Sequence, residues 1–348
     1  MKKSNFVFYI LLAVSLVFTA CKKQETPVPL GKYEGGVLVV NEGSFGDADG
    51  SISFLSADDK ITNNIFKAEN EQIVGGIIQA LRVHDSYAVI VTNSADKVIV
   101  ANAKDFKKQH TITDAAMVNP VDFAGVGNKG YVSQWGKTDF VTYPDAALKV
   151  IDLAAGTITK TIALEAKPQG VLAYNGKVYV ALEGSDKIAV VNASTDAVET
   201  TIVVAKGPSR MVLDANNKIW AICTSGNMVR IDPADNSIEA TISGIKVAGF
   251  NEKVATNPAK DKIYYLAPAP WPATDVEVFV LDITATAAPT TSLIKGNNFY
   301  GVGVAANGNI YIGNSAAFQG VGKIERYKAD GTKIDEMEAG RGTSNFVF

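Results

Sequence analysis

Runs of β-branched and aromatic residues, each bounded by Gly, Asn or Asp, recur along this chain in a fixed order. An apolar strand leads to an Asn/Gly turn, a strand ending in Tyr-Val, a polar turn, a strand ending near Asp, and a Thr/Val/Ile strand. The clearest copy spans residues 170–204. It predicts strands over 170–174, 178–181, 188–191 and 198–204, with turns at Asn175-Gly176 and Gly184-Ser185-Asp186. The order returns over 211–213, 219–222, 228–231 and 238–242. Further second strands are predicted at 87–91, 130–132, 263–265 and 310–312, at the roughly 40- to 50-residue spacing of propeller blades.

The first copy (37–40, 51–55 and 61–66) holds only three strands and lacks the innermost. Residues 344–348 form an orphan strand with the missing pattern. Joined, they predict an all-β chain: a seven-bladed β-propeller over 35–348, with the C-terminal strand completing the N-terminal blade. Closure removes the edges that an open sheet of this length would expose to aggregation. A pair of β-sandwiches would leave the grouping in fours unexplained, and a β-helix needs much shorter coils.

In such a meander the second-to-third-strand turns and the connections between blades share one face. Four of those turns carry an aromatic: Phe45, Trp135, Trp271 and Phe318. Hairpin chemistry asks for Gly, Asn or Asp there. Large flat side chains among polar neighbours suit a platform for a large, partly apolar ligand or a partner protein, although each could also cap the end of its blade. The blade connections add Gln169, Arg210, Tyr300 and Asn345 as polar ligand-binding candidates, with buried backbone satisfaction as the alternative role. Asn251 belongs to the same set of connections. Two long excursions, 134–147 and 267–275, are expected to wall the pocket.

The N-terminus changes the picture of compartment. Lys2 and Lys3 precede an uncharged apolar run over 6–20, which ends at Ala20-Cys21. The run is too short for a normally flanked span and reads as a signal peptide, residues 1–20. Val17-Phe18-Thr19-Ala20-Cys21 resembles a bacterial lipobox, with Phe18 in place of the usual aliphatic residue. Cys21 is thus the expected lipidation site, and residues 21–34, with Pro27 and Pro29, the expected flexible tether. The only other cysteine, Cys223, lies in an apolar strand, so no disulfide framework is expected.

Residues 1–30 carry four lysines and one glutamate, a net +3 within a total of −3, which leaves −6 on the folded part and argues against nucleic acid. Two histidines, His84 and His110, fall on a far-side turn and an outer strand, so hydrolytic or metal chemistry has no cluster to use. The Asp47–Ser51 stretch looks faintly like a calcium loop but lacks the later glutamate, and a hairpin turn accounts for it. These residues point to binding, not catalysis, with no cofactor and no metal.

Tyr179-Val180-Ala181 with Ser185-Asp186-Lys187-Ile188-Ala189-Val190-Val191-Asn192 resembles the repeats of YncE-like propellers, also called surface-layer or YVTN-type repeat proteins. That likeness covers nearly all of the expected mature chain. It bears on fold far more than on ligand. The opening Asn41-Glu42-Gly43-Ser44-Phe45-Gly46, with Ser51-Ile52-Ser53, Asn64-Ile65-Phe66 and the 75–79 turn, is similar to Bacteroidetes lipoproteins encoded with outer-membrane uptake systems. Some of those capture corrinoids. The resemblance implies an outer-membrane, cell-surface lipoprotein that binds vitamin B12 or a related corrinoid and passes it to a TonB-dependent transporter. A protein-interaction scaffold of an uptake complex is the alternative.

Overall fold

The computed structural model describes residues 30–249 and 252–348. The expected signal peptide, Cys21, most of the tether and Asn251 lie outside them. The described residues form seven four-stranded antiparallel sheets. Blade 4 is the pattern for the rest: Pro168–Tyr174, Lys177–Leu182, Lys187–Asn192 and Ala197–Val203 run from the axis outward. Its first hairpin turns at Asn175-Gly176, both with positive φ, as a tight right-twisting turn requires.

Middle strands are buried on both faces because each blade is sandwiched between two others; this explains their unbroken apolar runs, such as Val37–Asn41 and Ile219–Cys223. Outer strands face water along most of their length. Only Ile162 is buried in Thr157–Ala163, and only Ile202 in Ala197–Val203. Seven apolar clusters fill the seven gaps between blades. Polar ties cross some of them. Tyr131 Oη donates to Asp196 Oδ1 at 2.6 Å, and Tyr179 Oη reaches Asn236 Oδ1 at 3.5 Å.

The ring closes where expected. Thr343–Val347 is the inner strand of blade 1, pairing Leu38 with Val347, Val39 with Phe346 and Val40 with Asn345. Asn41 fixes this seam from a fully buried position. Its Oδ1 accepts from Gly340 N at 2.9 Å and Thr343 Oγ1 at 3.2 Å, while its Nδ2 donates to Ser53 Oγ at 2.9 Å. One amide thereby satisfies both ends of the chain's closing contact.

The outer strand expected over 61–66 is corrected by the structure. Only Ile61–Thr62 is strand; Asn64 takes a left-handed φ of 57° and an α-helix, Ile65–Asn70, follows. Ile65 and Phe66 turn inward and are buried against Phe54, Leu81 and Phe106 in the gap between blades 1 and 2. Burial of this apolar pair outweighs their strand propensity. The last residues of the expected tether are also docked: Tyr33 packs edge-on against Phe54 and Phe106, and its hydroxyl donates to Glu69 at 2.7 Å.

Candidate functional site

Six of the seven inner strands shift register at the end nearest the second-to-third-strand turns. A bulge there bends the strand and re-aims side chains from the interblade gap toward the axis. The repeated irregularity collects Gln79, Asp122, Gln169, Arg210, Tyr300 and Asn345 near the top of the central channel.

Above this ring lies a cavity of about 690 Å³, bordered by Glu42, Phe45, Gln79, Asn93, Asn119, Trp135, Phe140, Lys167, Phe318 and Gln319. Three of the four expected aromatics meet here. Trp135 is held from several sides: its Nε1 donates to Gln169 Oε1 at 3.2 Å, Lys167 Nζ sits 4.6 Å above its ring, and Tyr143 packs edge-on at 6.4 Å. Phe318 packs edge-on against Tyr300 at 5.0 Å. Gly342, with φ 68°, lies so close to the Phe318 ring that a Cβ would approach it within 2.8 Å, so glycine is required there. Phe45, by contrast, is 80% exposed.

The fourth aromatic, Trp271, is 92% exposed on the proline-rich loop and does not border this cavity. The 134–147 excursion does wall it, through Phe140. The Asp139 carboxylate accepts from Val141 N at 2.9 Å and Thr142 N at 2.6 Å, which shapes the loop that presents Phe140. These backbone donors hold the Asp139 carboxyl below its usual range.

Below the aromatics, the polar candidates divide into three linked groups. Arg210 Nη1 lies 2.8 Å from Asp122 Oδ2, and Arg82 Nη2 lies 2.8 Å from Asp122 Oδ1, so two guanidinium groups share one buried carboxylate. Tyr300 Oη and Gln79 Nε2 both donate to Glu42 Oε1, at 3.4 and 3.3 Å, and burial pushes the Glu42 carboxyl upward. Lys167 Nζ, Glu183 and Ser209 form the third group, with contacts of 2.5 Å to Glu183 Oε1 and 2.8 Å from Ser209 Oγ to Glu183 Oε2. Ser209 Oγ in turn accepts from Glu252 N at 3.3 Å. Burial raises Glu252 to about 7, against the opposing pull of the Ala248 and Gly249 amides. Burial lowers the adjacent Lys253 to about 8.

Asn345 borders the channel, and its Oδ1 accepts from Phe346 N at 2.9 Å. The sequence reading missed Glu42, Gln79, Arg82, Asp122, Glu252 and Lys253 as members of this set. A signal existed for Asp122: it stands two residues after Pro120, as Arg210 stands two after Pro208.

The histidines stay apart. His84 Nε2 lies 2.7 Å from the Gly127 carbonyl oxygen and His110 Nε2 2.9 Å from that of Ala154, each tying its blade to the next. Asp47 and Asp49 both pair with Arg341 across the seam. Cys223 is buried, which pushes its thiol up to about 12.

The sequence profile of the family described as a domain of unknown function, DUF5074, matches residues 35–345, and the chain belongs to that family. No curated protein sequence matches the chain. Among solved structures, it resembles a quinonprotein alcohol dehydrogenase-like protein from Bacteroides thetaiotaomicron (TM-score 0.67, 13% identity, 91% of this chain and 78% of that one). A functionally unknown protein from Desulfotomaculum acetoxidans gives a TM-score of 0.66 at 9% identity, covering 90% of this chain and 98% of that one. Hydrazine synthase from Kuenenia stuttgartiensis gives 0.57 at 17% identity, covering 75% and 85%. These likenesses agree with the propeller fold and reach no further.

Proposed function

We propose that this DUF5074 propeller captures a corrinoid, such as vitamin B12, on its aromatic face. In this reading Cys21 carries a lipid that anchors the protein at the outer-membrane surface, where it passes its ligand to a TonB-dependent transporter. The observation that carries the reading is the 690 Å³ cavity, where Phe45, Trp135, Phe140 and Phe318 stand among the amides of Gln79, Asn93, Asn119 and Gln319. A wide macrocycle fringed by amides pairs with flat apolar faces at its centre and amide partners around its edge. Binding energy on this surface comes from desolvating rigid aromatics, and the fixed ladder keeps their ordering cost low.

Calorimetric titration of the purified protein with cyanocobalamin tests the ligand; no heat of binding at micromolar concentration removes it. Incorporation of labelled palmitate into the protein, and its loss in Cys21→Ser, tests the anchor. Digestion by protease added to intact cells tests surface exposure.

A second reading rests on the exposed apolar residues of the same face. Trp271 is 92% and Phe140 72% exposed, beside Val141. Exposed aromatic and aliphatic side chains of this kind suit contact with a partner protein. A photo-crosslinker placed at Trp271 that captures the transporter would support docking there; no adduct in cells expressing both proteins would count against it.

A further inference from the structure

Beneath the aromatic cavity, the central channel holds a second space of about 300 Å³ bordered by Gln79, Arg82, Arg210, Glu252, Lys253 and Asn345. Arg82, Arg210 and Lys253 bring three cationic side chains to it. Arg82 and Arg210 both contact the Asp122 carboxylate, and Lys253 makes no ion pair with a carboxylate among the described residues. Lys253 Nζ instead rests 4.4 Å above the Tyr300 ring. Asn345 spends its oxygen on Phe346 N, and its Nδ2 has no protein acceptor among the described residues. Glu252 turns its carboxylate onto the Ala248 and Gly249 amides, at 3.1 and 2.8 Å.

We propose that this channel is an anion site, in which a phosphate or carboxylate group accepts from Lys253 Nζ and Asn345 Nδ2 and is flanked by Arg82 and Arg210. Cations and an amide donor facing a desolvated space complement an oxyanion, and charge-assisted hydrogen bonds are the strong kind. The acid could arrive free or as a group carried by the ligand on the face above, because Gln79 borders both spaces. The site does not depend on the identity of that upper ligand.

The groups facing Lys253 set the expected pH dependence. Glu42 and Asp122 favour its charged form, while Arg210, Arg82 and above all burial oppose it. Glu252, beside Lys253 and within reach of Glu183, carries more negative charge as pH rises through about 7. Above pH 8 the ammonium is lost as well. Both changes disfavour an anion, so binding is strongest in mildly acidic solution and is accompanied by proton uptake when measured near pH 8.

The test is calorimetry of the purified protein with inorganic phosphate and, separately, acetate, at pH 6 and pH 9. Wild type is expected to bind phosphate at pH 6 at millimolar concentration or tighter. Lys253→Met is expected to bind roughly tenfold more weakly or worse with its melting transition retained, Lys253→Arg to bind as wild type, and affinity to fall at pH 9. Absence of binding by wild type at pH 6, or equal binding by Lys253→Met, overturns the proposal.

Repeating the phosphate titration with cyanocobalamin present separates the sources. Competition is the result expected if the acid group belongs to the upper ligand, and independent binding is the result expected if it arrives free. Should cyanocobalamin itself fail to bind, the phosphate result still stands on its own.

Discussion

Two arcs of the same rim obey one ladder and differ in what they display. Blades 4 and 5 close their second hairpins with Glu183-Gly184-Ser185-Asp186 and Thr224-Ser225-Gly226-Asn227, small polar turns that do what the backbone asks. Blades 7, 1 and 3 place Phe318, Phe45, Trp135 and Phe140 at the equivalent points, and the 690 Å³ cavity lies along this second arc. Register and burial of the middle strands are alike in both. The sheets therefore do not require the aromatics. What the first arc omits without loss of structure, the second retains, and the proposed function assigns it to ligand contact.

The sharpest break in this comparison is at the seam. Removing residues 343–348 strips blade 1 of its inner strand and is expected to abolish a single cooperative melting transition, read by circular dichroism. Asn41→Ala is expected to cost about 2 kcal/mol or more in urea unfolding, since it leaves the Gly340 N–H without its acceptor and the buried Ser53 Oγ without its donor.

Next in size is a pH effect in the channel. Glu252 titrates near 7 in the folded protein, above its unfolded value, so its contribution is present in acid and lost as pH rises through 7. Lys253, lowered to about 8, binds its proton more readily unfolded, so stability recovers as pH rises from 8 toward the ordinary lysine range. Chemical denaturation is expected to show a stability minimum between pH 7 and 8. Glu252→Gln is expected to remove roughly 1–3 kcal/mol of the fall on the acid side.

Trp135→Ala is expected to weaken cyanocobalamin binding about tenfold by calorimetry, whereas Trp271→Ala changes it by less than about twofold. Equal losses in both would erase the distinction between a lined cavity and an exposed loop. Smallest of all, Ser185→Ala in the polar arc is expected to shift stability by less than about 0.5 kcal/mol, although its hydroxyl accepts from Lys187 N at 3.1 Å.

The ring was legible because its signals are local and repeated. Asn175-Gly176 marks a turn, the runs after it mark strands, and an orphan 344–348 strand matches a blade lacking one. Ile65-Phe66 misled because two apolar residues fit a strand and a short buried helix equally well, and period cannot separate them over so few positions. The channel was harder to read. Gln169, Arg210, Tyr300 and Asn345 were found through the blade connections, but Lys253 precedes an inner strand of only three residues, Val254–Thr256, and carries no turn signature. Asp122 sits in Val121-Asp122-Phe123, where its neighbours look like ordinary strand residues; its spacing from Pro120 hints at the channel, and its pairing becomes visible when Arg82 and Arg210 arrive from other blades.

The pairing of Leu38 with Val347 also sets a kinetic order, since partners roughly 300 residues apart in sequence can meet only after a costly loop closure. Until the final strand arrives, Val37–Asn41 presents an open, apolar ladder edge to any neighbouring chain. The interval between synthesis and closure is thus when aggregation competes most strongly with folding, and a cell making this protein gains from chaperones that cover that edge.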